Sequence, residues 1–501
     1  MDVPAFEHDE ATIAGLGEQM AVGSLTSRGL TEAYLARIDA LDGLLRSVLQ
    51  VNPDALAIAE ALDDERASGR VRGRLHGMPV LVKDNIDTSD QMRTTAGSLA
   101  LGEVTPARDA YVVERLRRSG AVVLGKANLS EWANFRSTRS SSGWSARGGQ
   151  CRNPYELDRS PCGSSSGSGV AVSANLGTVA VGTETDGSIV CPASINGVVG
   201  IKPTVGLVSR SGVVPISHTQ DTPGPMARTV ADAAALLTAL AGPDPRDAPT
   251  ADAPPERDHA ASVDPDGLRG ARIGVARNLA GFHDRTDRVF EQALAAMRDA
   301  GADLVDPAEV PHATDLEDPE LLVMLFEFKT NIAAYLASLG PDQPYRSLED
   351  LIAFNTEHAD LEMPFFGQEI FEQAIEKGSL EDPAYLEALA TCRRLSREEG
   401  LDVAFATHGV SALVAPTNGP SWTTDHANGD HYVGGNSTPA AVAGCPAISV
   451  PMGTAFGLPV GISFIGPAWS EPTLIRLASG FEHVTAARRP PTFLVRIETG
   501  P

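Results

Sequence analysis

Cationic side chains are scarce in this sequence, and lysine is the scarcer of the two kinds. The 501 residues carry 40 Lys and Arg against 65 Asp and Glu, which gives a formal net charge of −25. A surface with this charge repels phosphate backbones and anionic lipid headgroups, so we expect neither nucleic-acid nor membrane-surface binding. Only five of the cations are lysines, at positions 83, 126, 202, 329 and 377. A lysine in an apolar setting is therefore a candidate for a chemical role.

Cysteine and long apolar runs are also in short supply. The five cysteines are scattered, and none belongs to a Cys-x-x-Cys pair. This pattern argues against a disulfide framework and against a structural zinc site. We find no apolar run close to the roughly 18 to 20 residues that a membrane span requires. The acidic start, MDVPAFEHDE, lacks the basic and apolar regions of a signal peptide, so we expect a cytoplasmic protein.

Hydrophobic residues make up 42% of the chain, enough for a large buried core. Short apolar runs that predict strands alternate with helical patterns. These runs lie at residues 79–82, 412–415, 447–450 and 460–465. The alternation predicts an α/β fold, a single compact domain over residues 1–501 in which helices cover both faces of a large mixed, twisted sheet. Residues 312–400 show no strand pattern and are expected to form a helical insert or cap.

A serine- and glycine-rich run, SPCGSSSGSG, occupies residues 160–169. Composition alone would suggest a flexible linker, but apolar runs follow at 170–174 and 179–181, so we expect a loop of fixed shape. The run also contains a Gly-x-Ser-x-Gly pattern centred on Ser165, and His483 could serve as its base. A nucleophile elbow needs a buried strand directly before it, and the polar stretch NPYELDRSPCG does not supply one.

A second serine, Ser188, lies in the turn GTETDGS after a strand-like apolar run. Gly187 permits a tight turn, whose successive backbone N–H groups can stabilise the oxyanion of acyl transfer. A serine in this position needs a base, and no histidine is near in sequence. A lysine in a buried strand can fill that role, because desolvation lowers its pKa from about 10.4 toward neutrality. Lys83 fits best, and Lys126 and Lys202 are alternatives.

Two histidines, His426 and His431 in DHANGDH, raise the question of a metal site. No third ligand has a supporting spacing, so we predict a solvated polar loop and no metal.

Lys83 in VLVKDN, the loop CGSSSGSG and the segment GTETDGSIVCPAS resemble the amidase signature family. The resemblance implies a Ser–Ser–Lys triad with Lys83 as base, Ser164 as bridge after a cis peptide bond, and Ser188 as nucleophile. Ser164 precedes Ser188 by 24 residues, the separation that the family shows. The resemblance also implies an oxyanion hole and supporting loop residues. The oxyanion hole would use the backbone N–H groups of Thr185, Asp186 and Gly187, and the supporting residues would be Ser165 and Asp221.

The resemblance covers most of the chain, with a signature core at residues 75–230. It implies an amide hydrolase that forms an acyl-enzyme, needs no cofactor or metal, and works as a monomer or simple homodimer. Departures from the common motif at Cys162, Ser166, Glu184, Asp186 and Val190 are similar to those of bacterial peptide amidases, which remove the C-terminal amide of peptides. Two alternatives remain open. One is an amidase for small aliphatic, aromatic or fatty acyl amides, and the other is a partner-dependent amidotransferase subunit.

Overall fold

Thirteen strands run through residues 4–341 and 343–496, the part of the chain that this computed structural model describes. They are Val48–Val51 (β1), Pro79–Lys83 (β2), Val122–Ala127 (β3), Trp144–Ser145 (β4), Gly149–Gln150 (β5), Val179–Glu184 (β6), Val199–Lys202 (β7), Thr222–Ala227 (β8), Arg272–Val275 (β9), Asp303–Val305 (β10), Ala412–Pro416 (β11), Ala447–Ala455 (β12) and Leu458–Ile465 (β13). Eleven of them form one sheet in the order β1-β3-β2-β6-β8-β7-β12-β13-β11-β9-β10, and β4 pairs with β5.

Sixteen α-helices accompany the strands in the same described residues. They are Ile13–Ala21 (α1), Ser27–Leu45 (α2), Ala55–Ala67 (α3), Tyr111–Arg118 (α4), Ser166–Ser173 (α5), Val190–Ile195 (α6), Val230–Leu240 (α7), Asp284–Asp299 (α8), Glu317–Ser338 (α9), Leu348–Glu357 (α10), Ala359–Glu362 (α11), Glu369–Ile375 (α12), Pro383–Arg393 (α13), Asp402–His408 (α14), Thr438–Val442 (α15) and Glu471–Thr485 (α16). Short 3₁₀ turns and one π-helical segment, Arg394–Leu401, complete the regular structure.

The large sheet is mixed and buried, which confirms the predicted α/β fold. Strands β3, β2 and β6 are mutually parallel, as are β11, β9 and β10, and the remaining neighbours are antiparallel. Every residue of β2, β6, β11 and β13 is buried. Because successive side chains of a strand point to opposite faces, burial at every position means that both faces of the sheet are covered there.

The pairing of β2 with β6 positions the functional residues. The two strands are parallel neighbours, with Val82 opposite Val181. Parallel strands that start together also end together, so the C-terminal ends of β2 and β6 meet at one edge of the sheet. Lys83 is the last residue of β2, and the turn that carries Ser188 follows the end of β6.

Helices α9 to α13 lie where the sequence indicates a helical insert. The long helix α9 packs Phe328 and Ile332 against Phe135 and Ile216 from loops outside the insert. By length and composition alone α9 could cross a membrane, although charged residues interrupt its apolar sequence. Near the middle of α9, the Glu327 carboxylate is fully buried and accepts hydrogen bonds from other parts of the chain. These contacts are those of a helix packed inside the protein.

Two glycines in other helices, one in open space and one closely packed, provide a matched test of how the helices pack. Gly43 of α2 has no atom within 4 Å of the position that a side-chain Cβ would take, whereas at Gly167 of α5 a Cβ would lie 2.4 Å from the Ser47 carbonyl oxygen. We expect Gly43→Ala to raise the free energy of unfolding by about 0.5–1 kcal/mol, because alanine loses less entropy in a helix. Gly167→Ala should lower it, because the clash is with backbone atoms. Urea unfolding measures both, and a Gly167→Ala variant as stable as wild type would contradict the packing described.

Candidate active site

Lys83 is fully buried at the end of β2. Its Nζ donates hydrogen bonds to Ser164 Oγ at 2.7 Å and to Thr183 Oγ1 at 2.8 Å, and the Thr183 carbonyl oxygen lies at 3.3 Å. Burial lowers the pKa of Lys83 to about 7, against the opposing effect of the Asp221 and Glu184 carboxylates. A large fraction of Lys83 is therefore neutral near pH 7, and a neutral amine can accept a proton.

The serine-rich loop has a fixed shape, as its apolar surroundings predicted. The Gly163–Ser164 peptide bond is cis, and a side chain on Gly163 would come within 2.1 Å of Ser130 Oγ. The Ser130 N–H donates to the Ser164 carbonyl oxygen at 3.0 Å. Within the loop, Ser166 Oγ donates to the Cys162 carbonyl oxygen at 2.6 Å. These contacts hold Ser164 Oγ against Lys83.

Ser165 joins this loop to β6 and to the turn that follows. Its buried Oγ donates to the Thr183 carbonyl oxygen at 3.0 Å and accepts from the Thr183 N–H at 3.1 Å. Its backbone N–H donates to the Ser188 carbonyl oxygen at 3.1 Å. His483 is exposed on α16, and no strand directly precedes Ser165. The geometry therefore gives Ser165 a supporting contact and does not bring together the residues of a nucleophile elbow.

The turn after β6 presents unoccupied backbone donors. Gly187 has a φ of +75°, a left-handed conformation that favours glycine. Among the described residues, the N–H groups of Thr185, Asp186, Gly187 and Ser188 donate to no protein acceptor. The Ser188 side chain lies beside them, and the residue as a whole is 9% exposed. Free N–H groups beside a serine hydroxyl suit a negatively charged oxygen.

Two buried carboxylates fix the ends of this turn. Glu184 accepts hydrogen bonds from the N–H groups of Ile189 and Val190 at 2.7 and 3.0 Å, which closes the turn onto α6. Asp221 accepts one from Thr185 Oγ1 at 2.6 Å and two from backbone N–H groups of its own loop. Burial raises the pKa of Asp221 to about 6. Asp221 is thus placed to hold its loop, and it also anchors the turn.

Asp186 contributes to the turn through its backbone, because its side chain is engaged elsewhere. Its Oδ2 accepts a hydrogen bond at 2.7 Å from Oγ1 of Thr438, the first residue of α15. Burial raises the pKa of this carboxyl group. The contact ties the turn to the C-terminal part of the chain.

A disulfide bond between Cys162 and Cys191 corrects the expectation drawn from the cysteines. The two Cα atoms are 6.3 Å apart, and the bond links the serine-rich loop to α6. Scattered cysteines argue against a framework of several disulfide bonds. A single bond was not predicted, because nothing in the sequence shows that folding brings together two cysteines 29 residues apart. Cys151, Cys392 and Cys445 are free and buried.

The other candidate residues of the sequence lie apart from Ser164. Lys126 Nζ donates to the Ile86 carbonyl oxygen at 2.5 Å and to Thr94 Oγ1 at 2.9 Å. Lys202 Nζ donates to carbonyl oxygens of Ala440 and Cys445. Burial lowers the pKa of both lysines, yet neither contacts a serine hydroxyl. Their hydrogen bonds stabilise neighbouring segments.

His426 and His431 are not joined by further metal ligands. His426 stacks on the ring of Phe365, and His431 Nε2 lies 3.6 Å from Asp425 Oδ2. Across the residues described, no group of three or more His, Cys, Asp or Glu side chains is placed to hold a metal ion.

Sequence analysis missed Thr183, which accepts from both Lys83 and Asn85. Thr183 lies in the last part of β6, and only the pairing of β6 with β2 brings it to Lys83. No local signal identifies it, since a threonine in a buried strand is unremarkable in sequence.

Comparisons with known proteins agree with this geometry. Residues 29–475 match the family model described as Amidase. The chain is 43% identical to a probable amidase of Arabidopsis thaliana, over 98% of this chain and 93% of the relative. The crystal structure of native peptide amidase from Stenotrophomonas maltophilia superposes with a TM-score of 0.94 at 53% identity, covering 98% of this chain and all of that one. A glutamyl-tRNA(Gln) amidotransferase subunit from Myxococcus xanthus is 36% identical, over 94% of this chain and 97% of the relative.

The chain belongs to the amidase signature family, and it is an amide hydrolase. The expected family membership is thus confirmed.

The disulfide bond generates a prediction for stability. Closing this loop should stabilise the protein by about 3–4 kcal/mol through the entropy of the unfolded chain. A Cys162→Ala/Cys191→Ala variant should lose that much free energy of unfolding in urea, and Cys392→Ala is the control for loss of a buried thiol. Alkylation of the denatured, unreduced wild type should label the three free cysteines only. Labelling of all five would contradict the bond.

Proposed function

We propose that this protein removes the C-terminal amide of peptides, releasing ammonia and the free carboxylate, with Ser188, Ser164 and Lys83 as the catalytic triad. The observation that carries the proposal is the hydrogen bond from the buried Lys83 Nζ to Ser164 Oγ at 2.7 Å. The hydrogen bond from the Ser165 N–H to the Ser188 carbonyl oxygen supports the proposal. It holds the serine-rich loop, which carries Ser164, against the turn of residues 185–188, which we call the nucleophile turn.

In this mechanism neutral Lys83 accepts the proton of Ser164 as Ser164 accepts the proton of Ser188. The Ser188 oxygen attacks the amide carbonyl carbon, and the carbonyl oxygen becomes an oxyanion. The free N–H groups of Thr185, Asp186, Gly187 and Ser188 stabilise that charge. The relay then returns a proton to the leaving nitrogen, so ammonia departs and an acyl-enzyme remains.

Water completes the cycle by the same relay in reverse. A water molecule gives its proton through Ser164 to Lys83 as it attacks the ester of Ser188, and Ser188 regains its proton when the acid leaves. Asp221 and Ser165 hold the participating segments in place. No step of the proposal uses a metal or cofactor, and a cytoplasmic monomer or simple homodimer over residues 1–501 stays our prediction for location and assembly.

Similarity to peptide amidase supports a peptide amide as the substrate. The formal charge of −25 supports it too, since a neutral amide terminus is repelled less than a carboxylate, and the anionic product is released more readily. A small free amide is the alternative substrate of the same site, and the assay below separates the two.

A mass-spectrometric assay tests the function. An N-blocked peptide amide containing Asn and Gln should gain about one mass unit at its C-terminus as NH₂ becomes OH, with ammonia in solution and no chain cleavage. Ser188→Ala should abolish the reaction while leaving the fold intact, because it deletes the attacking oxygen. Conversion of the Asn or Gln side chains instead, cleavage of the backbone, or activity confined to small amides would exclude the peptide-amidase proposal.

The pH dependence tests the base. Because neutral Lys83 takes the proton, kcat/KM should rise with pH through an acid limb near 7, well below the pKa of a free lysine. Asp221→Asn removes a negative charge that favours the ammonium form, so the limb should move to lower pH. Thr185→Val is the control, since it removes a hydrogen bond that Asp221 accepts while keeping the carboxyl group, and it should move the limb less than Asp221→Asn does. An acid limb that stays at the same pH in Asp221→Asn would contradict the electrostatic assignment.

Replacing the base itself should have a much larger effect. Lys83→Ala should lose several orders of magnitude of activity.

A further inference from the structure

We call three at least partly exposed rings, Phe365, His426 and Tyr432, the aromatic rim; Phe365 stacks on His426, and Tyr432 lies six residues after His426 on the same loop. Phe365 is 44% exposed and stacks on His426 with ring centroids 4.0 Å apart and planes inclined by 11°. Tyr432 is 47% exposed and contacts the edge of Trp422 at a centroid distance of 5.6 Å. Exposed apolar groups that lie together are candidates for a binding surface, and the stacked pair of Phe365 and His426 is one such group.

The segment that follows Tyr432 connects the rim to the turn that carries Ser188. A Cβ on Gly187 would lie 2.9 Å from Ser437 Oγ, and Thr438 Oγ1 donates to Asp186 Oδ2, as described above. The Tyr432 hydroxyl lies against this same segment, since a Cβ on Gly435 would come within 2.0 Å of it.

His426 and Asp430 join the rim to the segment of residues 141–143, which in turn contacts Ser130. His426 Nδ1 lies 3.4 Å from Ser141 Oγ, and Asp430 Oδ2 accepts from the Ser142 N–H at 3.0 Å. The next residue, Gly143, donates its N–H to Ser130 Oγ at 2.8 Å. Since Ser130 holds Ser164, the rim lies on segments that are themselves bound to the catalytic loop.

A buried cation supports the rim from below. The Arg136 guanidinium lies 4.4 Å from the ring centroid of Phe366, the neighbour of Phe365, and pairs with Glu131 at 3.0 Å with both side chains fully buried. Trp144 packs edge-on against Phe365 at 5.6 Å. The ring of Phe365 is thus seated on a rigid, close-packed base.

Two carboxylates fasten the helical insert at this place. Glu362 accepts from the Leu99 N–H at 2.7 Å, and Glu369 accepts from Ser137 Oγ and from the Thr138 N–H at 2.7 and 2.8 Å. The segment carrying Phe365 lies between these two anchors. A surface fixed in this way loses little entropy when a ligand binds to it.

We propose that the aromatic rim binds the residues of the peptide that precede the amidated one, with a preference for apolar or aromatic side chains there. The inference rests on the proposed function. Flat rings pack well against amide planes and apolar side chains, and hydrogen bonds link the segments that carry the rim to those around Ser188 and Ser164. A small amide has no residues to place on this surface, so the rim would favour peptide amides over small ones.

Kinetics on substrates of increasing length test the inference. The series is N-acetyl-leucinamide and the N-acetylated di- and tripeptide amides that add phenylalanine before the same leucinamide. We expect wild-type KM to fall with length. Phe365→Ala should raise KM for the tripeptide amide about five- to tenfold with little change in kcat, as loss of an aromatic contact made equally in ground and transition states requires. KM for N-acetyl-leucinamide should not change.

Two further variants complete the test. His426→Ala removes the stacking partner of Phe365 and should show the same length-dependent effect. Leu386→Ala removes an exposed apolar side chain of α13 outside the rim and should leave every substrate unaffected. A Phe365→Ala effect that is equal for all lengths, or no effect at all, would overturn the rim inference while peptide amides are still hydrolysed. Hydrolysis of small amides without any peptide amide would overturn the proposed function instead.

Discussion

The burial of one amine, Lys83 Nζ, is the constraint on which the rest of the site depends. An ammonium ion in the protein interior is costly, and here desolvation brings its pKa to about 7. The lysine is satisfied by the hydroxyls of Ser164 and Thr183 and by a carbonyl oxygen, and no carboxylate of the described residues accepts a hydrogen bond from it. A direct ion pair would hold the proton on the lysine, whereas hydroxyl partners leave the neutral form within reach.

The nearby carboxylates influence Lys83 from a distance because other donors occupy them. Glu184 is engaged by the N–H groups that begin α6, and Asp221 is engaged by Thr185 and its own loop. Each carboxylate therefore fixes the nucleophile turn and also contributes a negative electrostatic potential at Lys83. The turn is fixed before any substrate arrives, and preorganised donors of this kind need no reorganisation during the reaction.

The helical insert has a different role from the sheet. The sheet edge carries the proposed triad, and the insert contributes Phe365 to the aromatic rim that we propose for longer substrates. Contacts across the boundary hold the insert to the rest of the chain: Glu362 accepts from the Leu99 N–H, Glu369 accepts from Ser137 Oγ, and the Arg136 guanidinium lies over the Phe366 ring. Substrate choice can then change through the insert while the chemistry at the sheet edge stays the same.

The sequence by itself indicated the α/β class, several of the strands and a helical insert through local patterns, and its resemblance to a known family implied the candidate triad. The run 79–82 and its lysine, the turn at Gly187 and the separation of Ser164 from Ser188 are all visible within short segments. Only the tertiary structure decided which distant residues meet. Thr183 reaches Lys83 through the pairing of β6 with β2, Cys162 reaches Cys191 when the loop lies against α6, and Phe365 reaches His426 across the insert boundary. Contacts of this kind depend on strand order and packing of the whole chain, and no local pattern in the sequence encodes them.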